Sequence, residues 1–434
     1  MKKYTIQVKT TGNDTDIISD TTTSFIDFSP TGNYHSIENH LWQTRDSFHL
    51  IFPNTLIDLY RLASSVYIAD KATPRNTSFD KWTRDILIYF PVHDIAVWEK
   101  NTTTLNKLLG FLTGDHWQVV FQQDNASTPP IDNKLFKKGH NLEVEAVTLF
   151  SGGLDSFIGS VNNIVDNQST ALVAHTDHAH ISKTQQNLLD KLKNRFPKKN
   201  IELIQFFLQP KGSQENTTRS RSILFLTLGT IIASSTKTNT LFVPENGLIS
   251  LNVPLTYGRS GSLSTKTTHP YTISLYNDLL KGLDINVAVI NPFQFKTKGE
   301  MLNESKDFEF LKNVSNETMS CSHSTAARWE GKPSNKHCGY CLPCLIRRAA
   351  FYRNKLDEPH HYSCDIHDAS FISQDSDKSN DVRAILYALE SNKDIPAVAK
   401  VMKTGPLYPK ADIDNFADLY KRGMDELEKF VTQQ

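Results

Sequence analysis

No apolar run in the 434-residue chain approaches the roughly 20 residues that a membrane-spanning helix needs; the longest, Ile223–Ala233, reads as a buried helix. No apolar stretch follows Met1-Lys2-Lys3-Tyr4-Thr5, so a secretion signal is not expected and the cytoplasm is the expected compartment. Net charge is missing as well. The 47 basic and 47 acidic residues cancel, which leaves no global field to draw the protein to nucleic acid or to an anionic membrane. Cysteine is scarce: there are five, and four of them crowd between Cys321 and Cys344. Without a secretion signal, that crowding points to a metal site rather than to a disulfide framework. Internal repeats and low-complexity tracts are absent too, which removes solenoid and disordered classes.

At this length two or three domains are expected. Residues 1–130 read as a mixed α/β accessory unit. Leu56, Leu59, Ala63, Val66 and Tyr67 share one helical face, and Ile86–Phe90 and Gln118–Phe121 read as strands. Within it, His93-Asp94 reads as a structural pair at a strand end. Polar residues and Pro129-Pro130 then mark Asp124–Asn141 as a linker. From Val144 the pattern becomes strand, turn and helix in repetition. Strands are expected at Val144–Phe150, Ala171–His175, Ile201–Leu208, Leu241–Val243 and Val287–Ile290, with helices at Asp155–Val165, Ser182–Phe196 and Ser222–Ser235. This alternation predicts an α/β fold, a parallel sheet with flanking helices on both faces. Ligands of such sheets lie beyond the carboxyl ends of the strands, where the winding reverses. The unit is expected to span 141–355. A helical C-terminal extension over 365–434 follows, with Ile413, Phe416, Ala417, Tyr420, Met424, Leu427 and Val431 as the apolar stripe of its last helix.

Two motifs carry chemistry. The first strand of the repeat runs into Ser151-Gly152-Gly153-Leu154-Asp155-Ser156, where a helix begins. Glycines let the backbone approach a ligand without a Cβ in the way, and a helix start presents N–H groups and partial positive charge to an anion. Ser151 and Ser156 add hydroxyls, and Asp155 either holds Mg²⁺ or helps cap the helix. No Gly-Lys-Ser or Gly-Lys-Thr follows, so this is not a Walker A loop. The second motif is Cys338-Gly339-Tyr340-Cys341-Leu342-Pro343-Cys344, with Cys321 upstream. Four soft ligands at this spacing suit a closed tetrahedral zinc site, with an iron–sulfur cluster as the rival. His323 and His337 lie close enough to replace one thiolate, and Cys364 stands apart.

The Ser151–Ser156 segment resembles the PP-loop of the ATP pyrophosphatases, the adenine nucleotide alpha hydrolase-like fold, which cleave ATP between the α and β phosphates and transfer AMP to a substrate. Joined to the cysteine cluster, it resembles the QueC family of 7-cyano-7-deazaguanine synthases. Thr218–Leu226 is similar to the Arg-containing start of a helix that faces the nucleotide there, and Asn291-Pro292-Phe293 with Lys298-Gly299-Glu300 is similar to a second family segment. The likeness covers roughly Val144 to Arg353. Residues 1–140, the tail beyond Cys364 and the Glu245–Pro270 loop depart from it, and in those departures the chain resembles the larger QueC-like proteins of bacterial anti-phage systems.

The resemblance implies ATP, Mg²⁺ and Zn²⁺ as cofactors and 7-carboxy-7-deazaguanine as the small-molecule substrate. It implies catalytic roles for Asp155, Ser156, Arg221 and Lys298, and nucleotide contacts along Ser151, Gly152, Gly153, Leu154, Asp155 and Ser156. Asp177, Glu245, Asn246 and Arg259 join the candidates by their places at strand ends or in the loop, as do Lys266 and His269. Cys321, Cys338, Cys341 and Cys344 would hold the metal. The activated carboxylate would form an amide, with ammonia in QueC itself and with a partner protein in the larger relatives, whose docking residues 1–140 would assist. A tRNA-modifying PP-loop enzyme and a non-catalytic nucleotide sensor are the other two classes. The former would want a basic surface that the balanced charge does not supply.

Overall fold

The computed structural model describes residues 3–11, 23–176, 179–217, 219–256, 266–323, 336–368, 371, 377–391, 394–409 and 412–433. Asp177, Thr218 and Arg259 lie outside them. Two parallel sheets with flanking helices make up the α/β body. The first contains β1 (Lys3–Lys9), β2 (Thr23–Asp27), β3 (Asp85–Val92) and β4 (His116–Gln123) in the order β2-β1-β3-β4, and every pairing is parallel. The second contains β5 (Ala146–Leu149), β6 (Ser169–Thr176), β7 (Asn200–Phe207), β8 (Thr240–Phe242) and β9 (Ala288–Ile290) in the order β7-β6-β5-β8-β9, again all parallel. Parallel neighbours need crossovers, which the helices supply while covering both faces.

The sheets share one apolar core. It runs from Ile6, Ile88 and Phe90 through Leu59, Leu62 and Val66 on the helix Asn54–Ala72, then Leu224, Leu228 and Ile231 on the helix Arg221–Thr236, into Val147 and Leu241. Arg221–Thr236 is apolar nearly all round because it is packed between the second sheet and the helix Asn54–Ala72, which in turn lies on the first sheet. A buried polar joint accompanies it. Asp70 accepts from the Ser220 backbone N–H (3.1 Å) and hydroxyl (2.6 Å), and from Arg84 (2.5 Å). A carboxylate from the first unit thus caps the helix that enters the second unit's cavity.

The linker is ordered and pinned. Arg45 donates to the carbonyls of Pro129 (2.9 Å) and Pro130 (3.1 Å), and Asp132 caps the helix Asn133–Lys138. His93 pairs with Asp58 at 2.7 Å rather than with Asp94, which caps the helix Ile95–Lys100. Toward the C-terminus, the helix Ile413–Thr432 buries Phe416, Tyr420 and Leu427 against Leu248, Leu251 and the cysteine segment. Within the Glu245–Pro270 loop, Gly247–Leu251 is helical, and Thr268 and His269 are buried.

Candidate functional site

In the order β7-β6-β5-β8-β9 the winding reverses beside β5, whose neighbours β6 and β8 are reached in opposite directions. The Ser151–Ser156 loop leaves the carboxyl end of β5 there. Gly152 sits at φ +84°, a left-handed conformation that a side chain would strain. The loop is braced from outside itself. Met319 N donates to Gly152 O (2.8 Å), and Leu154 N donates to Ser320 Oγ (3.1 Å). Within it, Ser151 Oγ accepts from Gly153 N (3.2 Å) and lies 3.1 Å from Ser156 Oγ. Leu154 turns its side chain fully into the core, so its contribution to a ligand is confined to the backbone.

A cavity of about 340 Å³ opens over this loop. Ser151 and Ser156 of the loop, His175 at the end of β6, Arg221, Glu245 and Thr268 line it. Arg221 Nε donates to His175 Nδ1 (3.0 Å), so the other imidazole nitrogen, 3.0 Å from the Leu208 carbonyl, carries the proton. Glu245 Oε2 accepts from the Thr268 hydroxyl. Burial raises the Glu245 carboxyl to about 7, helped by the Asp155 charge and opposed by the Thr268 hydroxyl and Lys298.

Asp155 and Lys298 lie behind the cavity wall, not on it. Asp155 Oδ2 accepts from Asn246 N (3.0 Å) and Nδ2 (2.7 Å), and Lys298 Nζ stands 2.8 Å from Oδ1. Lys298 is 3% exposed at the side chain. This cluster ties the first helical turn after the loop to the end of β8 and to the capped helix Lys298–Asn303. Lys266 and His269 also face elsewhere. Lys266 Nζ lies 3.9 Å from the centroid of the Phe111 ring, and His269 bonds Thr404 (2.9 Å) inside the protein, its pKa lowered to about 3 chiefly by burial. Arg219 lies over the Trp82 ring at 4.5 Å.

The four cysteines converge as a second centre, one member of which, Cys321, also lines the cavity. All four sulfurs fall within 4.8 Å of one another, with Cys321–Cys341 at 3.9 Å and Cys338–Cys344 at 3.8 Å. These separations are too long for disulfides. They match the edge of a tetrahedron whose corners lie about 2.3 Å from a central zinc. Backbone N–H groups of His323, Cys338 and Cys341 point at the sulfurs, as charged thiolates require. The donor set could hold a metal such as zinc, and a closed four-thiolate site leaves no open position for catalysis. His337 is no ligand in this set. It accepts from Ser320 N (3.2 Å), and Ser320 in turn holds the loop. The cysteine segment therefore reaches the Ser151–Ser156 loop through two consecutive residues, Met319 and Ser320. That bridge was invisible in the sequence because neither residue belongs to a motif.

Residues 268–355 match the family model for the queuosine biosynthesis protein QueC. The matched stretch holds Lys298 and all four cysteines, and stops short of the loop and of Glu245. No curated protein matches the chain. The match covers 88 of the 434 residues and supports a QueC-like character for that stretch. Among the described residues no helix is long and apolar enough to cross a membrane.

Proposed function

We propose that this chain is an ATP-dependent ligase that adenylates the carboxylate of 7-carboxy-7-deazaguanine and passes the acyl group to an amino group of a partner protein in anti-phage defence. In this it resembles QatC of the Qat system. The observation that carries the reading is the convergence of Ser151, Ser156, Arg221 and Glu245 on one cavity at the winding reversal of a parallel sheet. A carboxylate is a poor electrophile because its leaving group would be oxide. Attack on the α-phosphate of ATP makes an acyl-adenylate whose AMP leaves readily. Ser151 and Ser156 would bond the departing pyrophosphate from the loop side, and Arg221, oriented by His175, would offset charge on the phosphates from the other. Mg²⁺ accompanying ATP would neutralise charge on the pyrophosphate. Zinc on the four cysteines would brace the loop through Met319 and Ser320.

Incubation with ATP and the carboxy-deazaguanine should release AMP and pyrophosphate, whereas ADP and phosphate as the only products would sink the reading. Intact mass spectrometry of the neighbouring gene products after co-expression should find one of them carrying an amide-linked deazaguanine. The QueC match favours one rival, formation of the free nitrile with ammonia. Unmodified partners together with free 7-cyano-7-deazaguanine would establish it.

A further inference from the structure

We propose that Glu245 is the general base of the acyl-transfer half-reaction, its carboxylate taking the proton that the attacking amine loses as the amide forms. This rests on the adenylation reading above. A protein α-amine has a pKa of about 7.7–8.0, so near neutrality much of it is ammonium and cannot attack. As the amine reacts, an N–C bond forms, the bond from carbonyl carbon to AMP oxygen breaks with its electron pair leaving on AMP, and one N–H proton must go elsewhere. Among the described residues that line the cavity, Cys321 belongs to the thiolate cluster, which leaves His175 and Glu245 as the side chains that ordinarily accept protons. His175 is committed: Nδ1 accepts from Arg221 and Nε2 donates to the Leu208 carbonyl. Glu245 is not. Thr268 bonds Oε2, and among the described residues none bonds Oε1.

The backbone of Glu245 is fixed for the task. Its N–H donates to Asn291 Oδ1 (3.3 Å), its carbonyl accepts from Asn291 Nδ2 (2.8 Å), and the next residue, Asn246, grips Asp155. Among the described residues, the charges that act on it are Asp155 and Lys298 behind the wall, and Arg221 lines the same cavity. Burial and Asp155 together make it a stronger base than an ordinary carboxylate, with a pKa of about 7, close to the value at which general base catalysis works best in neutral solution. Adenylation does not need this group, because attack of a carboxylate on the α-phosphate expels pyrophosphate without moving a proton. The two half-reactions should therefore separate.

The test compares exchange of labelled pyrophosphate into ATP, which reads adenylation, with amide formation from 7-carboxy-7-deazaguanine and a peptide bearing a free α-amine. Glu245→Gln should slow amide formation by about 100-fold or more, while exchange falls no more than a few-fold. In the wild type, amide formation should rise with pH in two steps, the upper as the amine loses its proton near about 7.7–8.0 and the lower with a midpoint of about 7 as the carboxylate takes its charged, active form. Thr268→Val removes a hydroxyl that favours that form, so it should move the midpoint upward, and it provides a second reading if Glu245→Gln folds poorly. Equal loss of exchange and transfer would make Glu245 a nucleotide-binding group and overturn the assignment, as would unchanged transfer. No exchange in the wild type would overturn the adenylation reading itself.

Discussion

The two sheets are built alike and finished differently. Each is wholly parallel, reverses its winding at an inner strand and gathers polar residues at the carboxyl ends. At the end of the first sheet those residues satisfy one another. Arg61 bonds Glu38 and Asp124 (2.7 Å each), Thr10 bonds Asp124 (2.7 Å), and His93 bonds Asp58. At the end of the second, a glycine turn replaces side chains, and Glu245 keeps an oxygen that no described residue bonds. Topology alone places polar groups beyond the strands. Whether they form a site depends on whether the protein's own counter-charges use them up.

Matched substitutions break the symmetry most sharply. Asp155→Ala strands the buried Lys298 and should lose stability on the order of 3–5 kcal/mol in denaturant melts, whereas Asp124→Ala leaves Arg61 paired with Glu38 and should lose less. Only Asp155→Ala should also lower AMP formation per folded molecule, by roughly 100-fold or more. Combining it with Lys298→Met should restore stability and leave turnover lost. Equal turnover in the two single variants would show that the second sheet end is no more functional than the first.

A smaller effect sharpens the role of the cysteine centre. Metal analysis should find one zinc per chain, because the sulfur spacing suits a single ion; iron with sulfide would overturn this. Cys341→Ser should lower the melting temperature through lost metal. In whatever protein remains folded, ATP affinity should weaken, because Met319 and Ser320 would no longer hold Gly152 and Leu154. No counterpart substitution in the first sheet should change ATP affinity.

The smallest effect concerns protonation at the first sheet end. Asp58 holds the His93 pKa above its ordinary 6.5. Because the folded value exceeds the unfolded one, the stabilisation is fully present below pH 6.5 and is lost as pH rises through the folded pKa. The partly exposed pair should contribute about 1 kcal/mol at most. Melts of the wild type and of His93→Gln should therefore differ at pH 6 and converge as the pH rises.

How much of this was legible beforehand varied with the range of the interaction. β3 and β4 announced themselves through contiguous apolar residues, whereas β1 and β2 did not. Their threonines, lysines and glutamine dilute the pattern, and β2 is an edge strand with little to bury. The loop Ser151–Ser156 and the four cysteines stood out because each motif is compact in the chain. Asp155, Arg221 and Lys298 were named as site residues without any indication that Asp155 and Lys298 would pair behind the wall, or that Arg221 would fix the His175 tautomer. Thr268, Met319 and Ser320 drew no attention, since a hydroxyl or a backbone N–H acquires meaning only from what it touches.

The chain's local order is enough to specify the alternation that makes a parallel sheet, the left-handed glycine turn and the thiolate spacing, because each depends on residues a few positions apart. Packing settled the rest. It joined the two sheets through the packed helices Asn54–Ala72 and Arg221–Thr236, placed Asp70 at the start of the second helix, bound His175 on both nitrogens and left Glu245 with an oxygen that no described residue bonds. Those outcomes depend on groups from distant segments competing for the same hydrogen bonds and the same dry space, and that competition is decided only when the chain is folded.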